Sequence, residues 1–158
     1  MEINYFASPI GCIEFRIEQQ EITSVRIVTE EKETHPISET ALLFVTQMRE
    51  YFDGKRRDFD LPIRARGTVF QEVVWDALLR IPYGESISYQ QLAKNINLEK
   101  ASRAVGNANG KNPICILIPC HRVVRANGEI GGYAYGAEVK KFLLDLEKQN
   151  VSYRNVSK

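Results

Sequence analysis

The chain has 158 residues, of which 44% are hydrophobic and 26% charged, a balance typical of a globular protein. No apolar run approaches the roughly 20 residues that cross a bilayer, and the N-terminus lacks the basic and apolar regions of a signal peptide. The three cysteines have no framework spacing, which argues against a disulfide scaffold. We therefore expect a cytoplasmic protein with no membrane partner.

The net charge of +1 conceals an uneven distribution of charge along the chain. Residues 1–65 contain eight Lys and Arg against twelve Asp and Glu, whereas residues 66–158 contain thirteen against eight. Between residues 94 and 125, six basic residues accompany Glu99 as the single acidic one. A basic C-terminal half is typical of a nucleic-acid-binding region, although many solvated surfaces show the same pattern.

The first half of the chain reads as strands followed by a helix. Apolar and polar residues alternate over 13–17, a turn is predicted at 19–21, and a second β-rich run covers 22–28. A helix is then predicted from a cap at Ser38 to Gly54. Its apolar positions recur at helical spacing and are Leu42, Val45, Met48 and Phe52.

A charged segment that contains one proline, residues 55–66, separates the two halves. It marks the expected boundary between an N-terminal domain of residues 1–65 and a C-terminal domain of residues 66–158. Capping boxes at 68–71 and 88–91 each precede an apolar helical pattern.

A further helix, rich in small residues, is predicted over 101–109, and a last helix over 137–149. The helix that follows the second capping box is short and is joined by a tight turn to the helix over 101–109. This pair is a candidate helix-turn-helix.

The apolar run 114–118 is predicted to be a buried strand, and it ends in the pentapeptide Pro119-Cys120-His121-Arg122-Val123. Adjacent strand residues point to opposite faces, so the thiol and the imidazole need a turn or a water molecule to communicate. A cationic group beside a cysteine favours the reactive thiolate form. The pentapeptide therefore indicates that Cys120 is a nucleophile. For an isolated Cys-His pair, a buried structural thiol is the more frequent arrangement.

Seven short motifs occur between residues 67 and 147. They are Phe70-x-x-x-Val74-Trp75, Ile81-Pro82-x-Gly84, Ser88-Tyr89-x-x-Leu92-Ala93, Ser102-Arg103-Ala104-Val105-Gly106, Asn112-Pro113, Ile118-Pro119-Cys120-His121-Arg122-Val123 and Gly132-Tyr133. In order and spacing this set resembles the O6-alkylguanine-DNA alkyltransferase family. The cysteine loop, with the Arg103 and Asn112 motifs upstream, is the most specific part.

The resemblance implies an α/β, ribonuclease-H-like N-terminal domain and a mainly α C-terminal domain with a winged-helix-like helix-turn-helix. It implies DNA repair by a monomeric suicide methyltransferase that binds double-stranded DNA through the minor groove. The alkyl group of a flipped-out O6-alkylguanine passes once to Cys120, giving a stable thioether that inactivates the protein. Activity on O4-alkylthymine stays open, and no cofactor is implied.

Roles for individual residues follow from the same resemblance. Glu147 is expected to orient the ring of His121, which takes the proton of the Cys120 thiol through water. Asn112 is expected to brace the active-site loop against the preceding helix, with an Asx turn as the alternative. Arg122 is expected to form a structural ion pair.

The resemblance also assigns residues to the DNA interface. Arg103 is expected to fill the space left by the everted base, and Tyr89 to crowd the 3′ phosphate and to bond N3 of the base. Ser102, Ala104 and Gly106 are small enough for their helix to lie close to a minor groove. Close packing between helices is the alternative explanation for small residues at these positions.

The base is expected to bind in the glycine-rich loop after the cysteine. Tyr133 would line the pocket, the Ala134 N–H would lie near O6, and the Val123 carbonyl would accept from the exocyclic amine. Tyr135 leaves the tolerance for large alkyl groups open.

This sequence differs from the family pattern at two places that bear on metal binding and on redox chemistry. No metal site is expected, because Cys12 and His35 are too few for a closed N-terminal zinc site. Cys115 is expected to be a packing thiol that shares a strand face with Leu117, with a redox partner for Cys120 as the alternative.

Other function classes compete with repair. One is a non-catalytic alkyl-lesion-binding protein or a helix-turn-helix regulator, and another is a cysteine hydrolase that uses Cys120, His121 and Glu147. Lesion-flagging relatives lack the cysteine in this loop, whereas Cys120 is present here. Sustained turnover would distinguish a hydrolase from a protein consumed in one reaction.

Overall fold

The computed structural model describes residues 1–151, so the last seven residues of the expected C-terminal domain lie outside the described residues. The chain begins with an antiparallel sheet of three strands, β1 (Glu2–Ser8), β2 (Gly11–Glu18) and β3 (Glu21–Val28), in that spatial order. The predicted turn between β2 and β3 is confirmed. Gln19 and Gln20 there both have positive φ, as tight hairpin turns require.

Strand β1 was not predicted from the sequence, although it pairs with β2 along its whole length. Its inward positions include a buried Asn4, which breaks the apolar alternation that identifies a strand. The amide of Asn4 donates to Glu2 and its carbonyl accepts from the Thr34 hydroxyl, so both polar ends are satisfied.

Helix α1 (Glu39–Phe52) begins at the predicted cap, where the Ser38 side chain accepts from the backbone of Ala41. The buried face differs from the prediction, because Leu42 is 51% exposed. The face that packs on the sheet carries Phe44 and Tyr51, which bury more apolar surface than the Leu42 face. Phe44 stacks on Phe15 of β2 with ring centroids 4.0 Å apart.

Three helices follow: α2 (Val69–Leu78), α3 (Tyr89–Asn95) and α4 (Ser102–Gly110), the last preceded by a 3₁₀ turn at Glu99–Ala101. The capping box at Thr68 is confirmed. The one at Ser88 is only half formed, because the Gln91 side chain donates to Asn95 instead of reaching back.

The predicted strand over 114–118 is wrong. These residues are buried, but they form a tight turn with only isolated bridges, and Ile116 has a φ of 72°. Asn112 closes the turn, accepting from the Ile114 N–H at 2.9 Å and donating to the Ile118 carbonyl at 2.8 Å. Cys115 therefore shares no strand face with Leu117, although it is fully buried as a packing thiol would be.

The last elements within residues 1–151 are β5 (Val123–Val124), which pairs in parallel with β4 (Ile87–Ser88), and α5 (Ala137–Asn150). Buried residues from both halves of the chain form one continuous hydrophobic core. Within residues 1–151, no helix is both long enough and apolar enough to cross a bilayer.

We expect the Phe44→Ala substitution to lower the free energy of unfolding by about 3–5 kcal/mol, because it leaves a cavity against Phe15. Leu42→Ala on the same helix is the matched control and should change it by about 0.5 kcal/mol or less. Urea denaturation of both variants measures the two values. Equal losses would contradict the observed helix face.

Candidate active site

Cys120 lies where the buried turn 114–118 passes into a 3₁₀ turn at Cys120–Arg122. A turn at this place was expected, because the adjacent thiol and imidazole groups would otherwise point to opposite faces of a strand. Cys120 is 6% exposed and lies in a cavity of about 170 Å³. His121 is fully buried.

A single carboxylate, that of Glu147 on α5, organises the residues behind Cys120. Its Oε2 lies 2.7 Å from Nε2 of His121 and accepts from the Tyr51 hydroxyl at 2.6 Å. Arg122 donates to both carboxylate oxygens, at 2.8 Å and 3.0 Å, and also to the Ile81 carbonyl at 2.7 Å. All three expected partners, His121, Arg122 and Glu147, are thus in contact.

The protonation states of this cluster follow from its contacts. Burial opposes ionisation of Glu147, but the contacts with His121 and Arg122 outweigh it and lower its pKa to about 2. Burial also lowers the pKa of His121, despite the attraction of Glu147. This lowered pKa favours a neutral imidazole at neutral pH, a state in which His121 can take up the thiol proton.

The neutral imidazole has a defined tautomer. An ionised carboxylate can only accept, so Nε2 of His121 carries the proton that it shares with Glu147. Nδ1 of His121 is buried and has no hydrogen-bond partner among the described residues. The structure therefore holds a free basic nitrogen one residue away from the thiol.

Burial raises the pKa of the Cys120 thiol above its usual value, so the free protein holds mainly the thiol. The nearby polar groups of Asn112 and Tyr133 and the charge of Lys140 act in the opposite direction on the pKa of the thiol. Lys140 is fully buried, and its ammonium group donates to the Gly132 carbonyl at 3.0 Å. Desolvation lowers the pKa of Lys140 to about 8.

Lys140 was not predicted to be a site residue, although its position on the buried stripe of α5 is visible in the sequence. Lys140 occupies the same stripe of α5 as Leu143 and Glu147, and these are the buried residues of that helix. A lysine in such a stripe marks a buried cation near the site.

Tyr89 separates the cavity from a neighbouring surface groove of about 520 Å³ and lines both. Its ring is flanked by Gly106, where an added Cβ would lie 3.5 Å from the ring, and by Gly131. Gly131 has a φ of 79°, so a side chain there would be strained. The ammonium group of Lys140 lies 5.7 Å from the ring centroid of Tyr89.

The structure brings most of the other sequence-predicted residues to these two depressions. Ser102 and Arg103 line the groove together with Arg125, and Tyr133 and Ala134 line the cavity. Two do not join them: Ala104 is exposed outside the groove lining, and Val123 is buried in β5 and lines neither depression. No cluster of three potential metal ligands occurs within residues 1–151.

We expect wild-type stability to fall as the pH drops from about 5 towards 2, because the pKa of Glu147 is lower folded than unfolded. The stability contributed by this carboxylate is complete above the unfolded pKa and disappears as it is protonated in the native state. Glu147→Gln should flatten this pH dependence and lower stability at neutral pH by about 3–5 kcal/mol, since Arg122 loses its counter-charge.

Denaturant unfolding between about pH 2 and 7 measures both effects. Glu138→Gln, which removes an exposed carboxylate from the first turn of the same helix, is the control. An acid-induced loss of stability in Glu147→Gln as large as that of the wild type would contradict the assignment.

The chain matches two models of one protein family. Residues 69–149 match the model described as 6-O-methylguanine DNA methyltransferase, DNA binding domain. Residues 1–65 match the ribonuclease-like domain of the same family. The ribonuclease-like character expected of the N-terminal part is supported by this second match.

Individual relatives agree with the family models. A methylated-DNA–protein-cysteine methyltransferase of Methanosarcina acetivorans is 54% identical over 101 residues, which cover 64% of this chain and 65% of that protein. This chain therefore spans slightly less than two thirds of that relative. A protein of the same name from Mycobacterium bovis is 43% identical over 146 residues, covering 89% of this chain and 88% of that one.

Among solved structures, the fold is similar to the crystal structure of Mycobacterium tuberculosis OGT in complex with DNA. The TM-score is 0.87 at 41% sequence identity, and the superposition covers 95% of this chain and 94% of that one.

Proposed function

The chain belongs to the 6-O-methylguanine DNA methyltransferase family, and on that premise we propose that it repairs DNA by transferring the alkyl group of O6-alkylguanine to Cys120. The observation that carries the proposal is Cys120 in a small cavity with the His121–Glu147 pair directly behind it. A thiol in that position can react with a nucleobase held in the cavity. The imidazole of His121 is available as the proton acceptor.

The proposed reaction is a single displacement at the alkyl carbon. The thiol proton of Cys120 passes through water to the free Nδ1 of His121, and the sulfur then attacks the carbon attached to O6. The S–C bond forms as the C–O6 bond breaks, and its electron pair returns to the purine, which takes up a proton to become guanine. The thioether has no hydrolysable bond, so each molecule reacts once.

The charge of the thiolate needs a stabilising partner, because burial disfavours it. His121 is neutral before it accepts the proton, whereas Lys140 is a buried cation with no carboxylate partner among the described residues. We assign to Lys140 the role of lowering the cost of the thiolate in the closed cavity.

The groove next to the cavity is the proposed DNA-binding surface. Helices α3 and α4 would act as the helix-turn-helix, with α4 lying in the minor groove. The small residues Ser102 and Gly106 would allow close approach, and exposed Arg103 would occupy the space of the everted base. The similarity to an OGT solved with DNA supports this surface.

Tyr89 stands at the proposed passage between DNA and cavity, since it lines both depressions. A base in the duplex cannot present O6 to a buried thiol, so the nucleotide must rotate out at a cost of a few kcal/mol. The rotated base would contact Tyr133 and Ala134, and one monomer would suffice for the reaction.

The stoichiometry of the reaction tests this proposal. We expect incubation with excess duplex carrying O6-methylguanine to add one methyl group to each protein molecule, on Cys120, with no further turnover. Intact mass spectrometry and peptide mapping measure the adduct. Sustained turnover, or the absence of an adduct, would contradict the proposal.

Two variants separate binding from chemistry in the same assay. Cys120→Ala should form no adduct but retain DNA binding, because the groove is unchanged. Arg103→Ala should lose at least about tenfold in transfer rate, because the everted base is no longer replaced in the stack. Its thiol should keep the wild-type rate with a small alkylating reagent, which shows that the site itself is intact.

For Lys140→Met, we expect the single-turnover transfer rate to fall by about tenfold, equivalent to about one pKa unit in the thiolate. The pH dependence of thiol alkylation should shift upward by a similar amount. Met fills the buried position without an unpaired charge, so stability should not decrease. Lys141→Met, which removes the neighbouring exposed lysine, should leave both the rate and the pH dependence unchanged, and equal effects in the two variants would argue against the assignment.

A further inference from the structure

Asn109, in the last turn of α4, is a polar residue of the cavity to which the proposed reaction gives no role. It is 5% exposed and lines the cavity together with Cys120 and Tyr133. Its Nδ2 donates to the backbone carbonyl of Cys120 at 3.3 Å, while its Oδ1 is buried with no partner among the described residues.

The orientation of this amide is determined by chemistry. A backbone carbonyl can only accept, so the nitrogen of Asn109 must face Cys120 and the oxygen must be the free atom. The helix is held at this point, because the indole N–H of Trp75 donates to the Ala108 carbonyl at 2.9 Å. Asn109 is therefore a held side chain of the cavity lining, with an acceptor oxygen that no described group pairs.

An unpaired buried acceptor carries a free-energy cost, and a ligand that supplies a donor removes it. Alkylation at O6 removes the N1 proton of guanine, which leaves the exocyclic amine as the N–H donor on the edge of the base. O4-alkylthymine has no N–H donor on its ring. An acceptor in the cavity therefore distinguishes the two lesions.

We propose that Oδ1 of Asn109 accepts a hydrogen bond from the exocyclic amine of the everted base and selects O6-alkylguanine over alkylated bases without that amine. The inference rests on the proposed function and adds a specificity-determining residue to it. Because Nδ2 of the same side chain holds the Cys120 carbonyl, recognition of the amine is coupled to the position of the nucleophile.

The sharpest test compares two duplexes that differ by this amine alone, one carrying O6-methylguanine and the other O6-methylhypoxanthine. We expect single-turnover rates of adduct formation on the wild type to favour O6-methylguanine by about tenfold or more. Asn109→Leu should bring the ratio of the two rates towards one. It should also raise the rate with O4-methylthymine relative to that with O6-methylguanine.

Asn109→Asp separates recognition from the structural contact. It keeps an acceptor oxygen but replaces the amide nitrogen that faces Cys120, so the preference for O6-methylguanine should persist even where both rates fall. Asn95→Leu, at an exposed asparagine of α3 outside the cavity, should retain the wild-type ratio. The melting temperature of each variant shows whether it folds. If the leucine side chain prevents folding of Asn109→Leu, Asn109→Ala takes its place.

A wild type that treats the two purines equally would overturn the inference, as would an unchanged preference in Asn109→Leu or Asn109→Ala, which lack the acceptor oxygen. Failure of the proposed function has a different result, since the wild type would then form no adduct with O6-methylguanine at all.

Discussion

The site depends on the hydrogen bonds and the ion pair that the buried carboxylate of Glu147 makes. This carboxylate accepts hydrogen bonds from Tyr51 of α1 and from Arg122 and His121 of the cysteine loop, so it joins the N-terminal helix, the loop and α5 at one point. Through Arg122 the same group also holds the carbonyl of Ile81, after α2. Neutralising such a group would leave a buried guanidinium without its counter-charge, so the architecture and the protonation state of the site are coupled.

In the proposed reaction, this arrangement would keep Cys120 unreactive until the alkylated nucleotide enters the cavity. Burial raises the pKa of the Cys120 thiol and lowers the pKa of His121, which favours a thiol and a neutral imidazole at this site in the free protein. In the proposed reaction, proton transfer to His121 and the charge of Lys140 then favour the thiolate inside the cavity. For the proposed single-turnover reaction such control is an advantage, because a reaction with another electrophile would consume the protein.

Part of this structure was predictable because its signals are local. The cap at Ser38, the capping box at Thr68 and the cysteine loop are each encoded within a few residues. The turn at 114–118 was mistaken for a strand, since a short apolar run does not distinguish the two when Asn112 closes it from outside. Burial of polar side chains such as Lys140 depends on tertiary packing, and the link between His121 and Glu147, distant in sequence, came from family resemblance alone.

The protonation state of the His121 ring shows whether Glu147 organises the site in this way. Nitrogen-15 NMR of the imidazole reports which nitrogen carries a proton and whether the ring is charged. We expect a neutral ring near neutral pH, with the proton on Nε2 beside Glu147 and no proton on Nδ1. An imidazolium at that pH, or a neutral ring protonated on Nδ1, would contradict this role of Glu147.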